Sequence, residues 1–141
     1  MTGIFFNLGI DLIAILCNID VAQLTHDPYR IKLARGRNLF VDLGAQKLIA
    51  AEKGMDKIAV EIKSFRGASE IKDLEEAIGQ FVLYERLLAR YEPERKLYLA
   101  VPGNVIKSVF EEEAGQVLIE DQILRLLIFD TTNEEVLKWI P

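Results

Sequence analysis

The nine residues KIAVEIKSF, from Lys57 to Phe65, constrain the fold of this chain more than any other segment. Because successive side chains of a β-strand point to opposite faces, Glu61 and Lys63 are expected to lie on the same face. The other face would then carry three branched apolar side chains, Ile58, Val60 and Ile62. Such an apolar strand is typical of a sheet covered on both faces. Burial of a carboxylate and an ammonium there is unfavourable unless they are paired or take part in chemistry.

Composition limits the class of protein. The 141 residues suffice for one domain with a real core, so we predict a single domain over 1–141. The net charge of −5, from 17 basic and 22 acidic residues, argues against non-specific attraction to phosphates. Any nucleic-acid contact must therefore come from a local patch, a metal or a partner. One cysteine, Cys17, and one histidine, His26, exclude an internal disulfide and a multi-histidine metal site, and they fit a reduced, cytoplasmic setting.

The N-terminal segment is atypical. Residues 4–16 are very apolar, but Asn7, Gly9 and Asp11 interrupt them and the run is short for a bilayer span. No basic residue precedes Arg30, so the positive region of a signal peptide is missing. We expect a buried helix or strand there and no membrane partner.

The remainder of the chain predicts strands interrupted by two helices. Two short strands surround the turn 34–37, at Tyr29 to Leu33 and Asn38 to Leu43. Gln46 to Lys53 is ambiguous between helix and strand, and a turn at 54–56 follows it.

Ser69 is the expected N-cap of a long helix that ends near Tyr91. Its apolar stripe at helical spacing consists of Ile71, Leu74, Ile78, Phe81 and Leu88. The later elements are a strand at 96–101, a helix at 105–120 and a terminal hairpin of 124–130 with 136–140, turning at 131–133. This order predicts an α/β fold in which helices pack on a mixed sheet.

Acidic side chains on these strands suggest a metal site. Asp42 is the polar exception in a short strand, FVDL, nineteen positions before Glu61. If the two strands are neighbours, their carboxylates could share Mg²⁺ or Mn²⁺, which prefer oxygen ligands. Lys63 would then orient the attacking water or stabilise the developing charge. The gap is long for a tight hairpin, since a turn at 54–56 puts Glu61 roughly opposite Ile49, so a bulge or short helix would have to bring Asp42 back. Glu52 is the alternative acid.

Gln80 and Tyr84 lie four residues apart and therefore on one face of the long helix. Taken alone, they are more often part of a solvated helix edge, and Asp42 more often caps a turn. An E-x-K pattern in a strand is likewise common by chance. The whole set, in this order on these elements, favours a nuclease-like geometry.

Asp42, Glu61-Ile62-Lys63 and the Q-x-x-x-Y spacing of Gln80 and Tyr84 resemble the PD-(D/E)XK nuclease pattern. The strings THDPYRI, GRNLFVDLGAQKLIAAEKG, KIAVEIKSF, IGQFVLYERLL and LYLAVP, with the terminal IFD and VLKWI, are similar to the XisH family of cyanobacterial fdxN element excision controlling factors. The similarity covers 25–141. Members of that family usually open with a charged amphipathic helix, which 1–24 does not resemble.

This resemblance implies a restriction-endonuclease-like fold and a role in programmed excision of a DNA element. It implies catalytic roles for Asp42, Glu61, Lys63, Gln80 and Tyr84. The implied partners are DNA, an XisI-like protein and a site-specific recombinase, and a homodimer is an open alternative. Two functions remain open at this point: an Mg²⁺-dependent endonuclease, or a non-catalytic control factor that binds DNA or protein.

Overall fold

The computed structural model describes residues 23–26, 29–32, 38–39, 42–43, 46–63, 65, 69–130, 132–133 and 135–141. The expectations for residues 1–22, for the turn 34–37 and for residues 40–41 and 131 fall outside these ranges. Within them, nine strands and three α-helices form a mixed α/β fold of the restriction-endonuclease-like kind, as predicted. No helix of the described ranges is both long and apolar enough to cross a lipid bilayer.

The main sheet has a parallel centre and antiparallel edges. Its described strands are β1 (Gln23–His26), β4 (Asp42–Leu43), β5 (Gln46–Lys53), β6 (Asp56–Lys63), β7 (Arg95–Pro102), β8 (Leu126–Asp130) and β9 (Glu135–Ile140). The order is β1-β5-β6-β7-β8-β9, and β4 also pairs with β5. β6, β7 and β8 run parallel, whereas β1, β4 and β9 pair antiparallel with their neighbours. The sequence therefore predicted the mixed character of the sheet correctly.

A tight hairpin joins β5 to β6 and resolves the ambiguity of 46–53, which is strand throughout. Gly54 occupies the turn with φ 61°, a left-handed conformation that favours glycine. The resulting register pairs Leu48 with Glu61, one residue away from the expected partner Ile49. Pairing on both edges of β5 decided its conformation, because its periodicity alone fits either a helix or a strand.

The two short strands around 34–37 are confirmed in a reduced form. β2 (Ile31–Lys32) and β3 (Asn38–Leu39) pair antiparallel in a separate two-stranded sheet. Asp42, which was expected in the same strand as Asn38, lies instead in β4 on the main sheet.

The long helix α1 (Glu70–Tyr91) begins and ends where the sequence predicts. The Ser69 hydroxyl accepts a hydrogen bond from the Lys72 amide at 3.3 Å, which caps the first turn. Leu74, Phe81 and Leu88 of the predicted stripe are buried against the sheet, but Ile71 is 52% exposed. The prediction that Ile71 lies on the buried face is wrong, because the buried face of α1 is centred on Ala77 and Tyr84.

The sequence predicts one continuous helix over 105–120, and this prediction is wrong because the structure interrupts the helix before Glu113. A short helix α2 (Gly103–Val105) continues as a π-helical turn (Ile106–Phe110), and a separate helix α3 (Glu113–Glu120) follows. α3 packs back on the π-helical turn so closely that a Cβ at Gly115 would lie 2.4 Å from the Val109 carbonyl oxygen. This tertiary contact breaks the helix that periodicity predicts.

The terminal hairpin is confirmed as β8 and β9. Asp130 stabilises its turn by accepting hydrogen bonds from the Thr132 amide at 2.9 Å and the Asn133 side chain at 2.8 Å. Trp139 is half-buried and packs edge-on against Tyr98, with ring centroids 5.0 Å apart.

Candidate active site

Glu61 and Lys63 lie on the face of β6 that α1 covers. Ala59 and Leu99, their neighbours on this face, belong to the same apolar cluster as Leu74 and Phe81 of α1. The opposite face carries Ile58, Val60 and Ile62, which belong to a second cluster. The predicted alternation along β6 is therefore confirmed, and both faces of the strand are buried.

Glu61 is a buried acid. It is 2% exposed, and neither of its carboxylate oxygens accepts a hydrogen bond from any other residue that the structure describes. Burial raises its pKa to about 8, because the low-dielectric interior disfavours the charged form, and the positive charge of Lys63 lowers the pKa only in part. At neutral pH the Glu61 side chain is therefore mainly a neutral carboxylic acid.

Lys63 reaches across to α1 for its partner. Its Nζ lies 3.3 Å from Oε2 of Glu76, and the Lys63 side chain is 6% exposed while that of Glu76 is 52% exposed. The ammonium is thus held at the margin of the helix, where the carboxylate of Glu76 remains hydrated. The sequence analysis missed Glu76, although the spacing Glu76, Gln80, Tyr84 places all three on one face of a helix.

Gln80 and Tyr84 lie one and two turns beyond Glu76 on the same face of α1. The Gln80 Oε1 atom is buried and has no hydrogen-bond partner among the described residues. Tyr84 is buried, and its pKa is raised to about 12 by that burial and by the negative charge that Glu61 carries when ionised. The electrostatic effect of Glu61 on Tyr84 indicates that these two side chains lie near each other.

The two other acids that the sequence proposes occupy different positions. β5 lies between β4 and β6, so Asp42 and Glu61 are not on neighbouring strands: Asp42 pairs with Lys47, and Lys47 pairs with Ile62. The side chain of Asp42 lies outside the described residues, and its role stays a prediction. Glu52 is exposed and lies four residues along β5 from the partner of Glu61, a separation of about 13 Å. The structure therefore does not bring Glu52 to the site.

Phe65 has an unusual backbone conformation close to the end of β6. Phe65, two residues after Lys63, has φ 55°, which is unusual for a residue with a side chain. Its ring is buried and packs edge-on against Phe110, with centroids 6.4 Å apart. This packing holds a strained backbone conformation next to Lys63, as is common near functional sites.

The oxygen atoms of the site are suitable ligands for a hard cation, but they do not complete its coordination. Three buried oxygens have no hydrogen-bond partner in the described ranges, two from Glu61 and one from Gln80, and carboxylate and amide oxygens are suitable ligands for Mg²⁺. Within the part of the chain that the structure describes, no group of three or more His, Cys, Asp or Glu side chains is placed to hold a metal. Water, a phosphate oxygen or a residue beyond the described set would have to complete the coordination.

Comparison with known proteins assigns the family. The family model described as XisH protein matches residues 17–137, which include Glu61, Lys63, Gln80 and Tyr84. The chain belongs to the XisH family. No curated protein matches it. The resemblance to the XisH family that the sequence indicated is thereby confirmed.

Two solved structures of the family are similar to this chain over nearly its whole length. An XisH family protein from Nostoc punctiforme is 38% identical, with a TM-score of 0.81, and the match covers 96% of this chain and 100% of that one. A fdxN element excision controlling factor protein from Anabaena variabilis is 36% identical, with a TM-score of 0.80, and the match covers 94% of this chain and 97% of that one. Both likenesses extend through the sheet and the helix that build the site.

Proposed function

We propose that this XisH-family chain controls the programmed excision of a DNA element. The support is its similarity to the Anabaena variabilis protein, which is described as a fdxN element excision controlling factor. The proposal includes DNA and an XisI-like protein as partners, alongside a site-specific recombinase that cuts and joins the DNA. A homodimer would be compatible with this role.

Within that role, we propose that Glu61 and Lys63 form a PD-(D/E)XK-like site for phosphodiester cleavage. The observation that carries this step is the buried Glu61 carboxyl group, which has no hydrogen-bond partner among the described residues. An unpaired acid in a protein interior is unfavourable by several kcal/mol. Such an arrangement is typical of a group retained for chemistry.

Each side chain of the site has a distinct task in this proposal. Glu61 and Gln80 would hold Mg²⁺ or Mn²⁺, whereas Asp42, the second acid that the sequence predicts, lies on β4, two strands away from Glu61. When bound, the metal would neutralise phosphate charge and lower the pKa of water. Lys63, which is held by Glu76, would supply a positive charge for the phosphate, and Tyr84 lies near enough to Glu61 for the charge of Glu61 to affect it.

A non-catalytic control factor is the second candidate function. The observation that favours it is the small number of acidic ligands: within the described ranges, no group of three or more metal-binding side chains is present. The net charge of −5 also favours an accessory protein over a non-specific nuclease. In this alternative Glu61 and Lys63 remain as inherited features of the fold, and the chain acts through binding alone.

A cleavage assay distinguishes the two functions. Supercoiled and branched DNA would be incubated with the protein and Mg²⁺ or Mn²⁺, both with and without an XisI-like partner. We expect Lys63→Ala to abolish cleavage while the circular dichroism spectrum is unchanged, because loss of a preorganised charge at a reacting centre lowers the rate about a hundredfold or more. Gln80→Ala should reduce the rate less, since it removes a neutral amide.

Lys57→Ala is the matched control, because Lys57 is an exposed lysine at the other end of β6. It should cleave DNA at the wild-type rate. Cleavage that persists in Lys63→Ala would exclude this site. If the wild-type protein cleaves no DNA under any of these conditions, catalysis is excluded and the control-factor function is supported.

A further inference from the structure

A cleft of about 260 Å³ lies between the C-terminal half of α1, the start of β7 and the residue before β8. Its lining contains four basic side chains and one acidic one, Arg86, Arg95, Lys96, Arg125 and Glu85. The chain as a whole has a net charge of −5, so this local excess of positive charge is opposite in sign to that of the protein. The cleft is therefore a surface where an anion would be attracted.

One carboxylate positions two guanidinium groups in this cleft. Glu85 Oε2 accepts a hydrogen bond from Arg125 Nη1 at 2.7 Å, and Glu85 Oε1 lies 3.6 Å from Arg86 Nη2. Each guanidinium has five N–H donors, and a single carboxylate satisfies only a few of them. Donors therefore remain for an incoming anion, and their geometry is partly fixed before it binds.

Arg95 supplies a fixed charge at the floor of the cleft. Its side chain is 6% exposed, its Nη1 donates to the Ile58 carbonyl at 2.9 Å, and its Nε donates to Glu92 Oε1 at 3.3 Å. The guanidinium also lies 5.0 Å from the centroid of the Tyr29 ring. The neighbouring Lys96 is exposed and also lines the cleft.

We propose that this cleft binds a backbone phosphate of DNA and anchors the nucleic acid to the protein. The identification of the anion as DNA rests on the proposed function. The volume is below that of typical pockets for drug-sized ligands, about 300 Å³ or more, and suits a phosphate better than a stacked base. Arginine binds phosphate well, since its planar fork of donors matches the phosphate oxygens.

The cleft is separate from Glu61 but close to it. Leu97, which lines the cleft, pairs with Ala59, two residues along β6 from Glu61, a distance of about 7 Å along the strand. The cleft lies on the side of Glu61 away from Lys63 and Glu76. Contact here would hold DNA against the protein without using the groups assigned to cleavage, and so it would not require the metal.

The anchor predicts a charge-specific loss of DNA binding. Fluorescence anisotropy with labelled duplex and single-stranded DNA in EDTA, at several salt concentrations, compares the wild type with the double variant Arg86→Glu/Lys96→Glu. We expect the variant to bind at least about tenfold more weakly, and the slope of log K against log salt to fall by about one, because one phosphate contact is lost. Arg95 and Arg125 stay unchanged because both are paired within the fold.

The matched control is Lys107→Glu/Lys138→Glu, two exposed lysines outside the cleft that give the same net charge. It should keep the wild-type salt slope. An equal loss in both double variants would overturn the anchor, since net charge alone would then explain the effect. So would unchanged binding of the cleft variant, or a wild type that binds no DNA. Should the glutamate variants unfold, Arg86→Gln/Lys96→Gln and Lys107→Gln/Lys138→Gln give the same comparison.

The anchor and the proposed function can fail separately. Binding that depends on the cleft in EDTA, with no cleavage under any metal condition, would support the anchor and exclude catalysis. Cleavage that depends on Lys63, with normal DNA binding by the cleft variant, would support catalysis and overturn the anchor. If the basic side chains served only the fold, the cleft variant would lose thermal stability and keep the wild-type salt slope.

Discussion

At the scale of the residue, Glu61 determines how the stability of this protein depends on pH. Its ordinary pKa is 4.5, and burial raises the pKa in the folded state to about 8. Between these values the folded state binds a proton that the unfolded state has lost. The contribution of Glu61 to the free energy of unfolding therefore falls as the pH rises from 4.5 to about 8. Above a pH of about 8, burial of the charged carboxylate destabilises the folded state to its full extent.

Glu61→Gln should remove this dependence. A neutral amide of similar size has no charged form to bury, so the variant should exceed the wild type in stability at about pH 9 and differ less at about pH 6. Urea denaturation at the two pH values measures the difference. Glu52→Gln is the control, because Glu52 is an exposed acid on the neighbouring strand. If both variants respond to pH alike, Glu61 does not have the raised pKa.

At the scale of the element, two glycines in helices should respond oppositely to the same substitution. A Cβ at Gly115 would lie 2.4 Å from the Val109 carbonyl oxygen and 2.6 Å from the Phe110 Cα, both backbone atoms that cannot move aside alone. Gly115→Ala should therefore separate α3 from the π-helical turn and destabilise the protein by about 1–3 kcal/mol. This prediction is checked by the midpoint of chemical denaturation.

Gly79→Ala is the matched comparison, since Gly79 lies in the middle of α1 and a Cβ there meets no atom within 4 Å. The substitution should raise stability by about 0.5–1 kcal/mol, because alanine loses less backbone entropy in a helix than glycine. A Gly115→Ala variant as stable as Gly79→Ala would show that α3 does not pack closely on the turn.

At the scale of the whole molecule, a divalent cation should stabilise the protein weakly by mass action. Glu61 must lose its proton to become a ligand, so the increase in Tm with Mg²⁺ should be larger at about pH 9 than at about pH 7. Differential scanning calorimetry at fixed Mg²⁺ measures this increase. Glu61→Gln should abolish it, and Glu52→Gln should keep it. An identical Mg²⁺ response in wild type and Glu61→Gln would count against the metal site.

The sequence by itself determined the features that depend on local order. Alternation along β6 placed Glu61 and Lys63 on one face, Ser69 marked the start of α1, and Gly54 marked the hairpin between β5 and β6. Each of these features follows from the side-chain period or from a single turn or cap residue. The family resemblance likewise followed from short strings of residues, and the family model confirms it.

Tertiary structure decided what depends on contacts between distant segments. Edge pairing made 46–53 a strand, and the close approach of α3 at Gly115 interrupted the helix expected over 105–120. The position of α1 over the sheet joined Glu76 to Lys63, thirteen residues apart in the chain. Glu85 and Arg125, forty residues apart, met in the basic cleft for the same reason. Periodicity reports which face a residue occupies, but only packing selects the residue that lies opposite it.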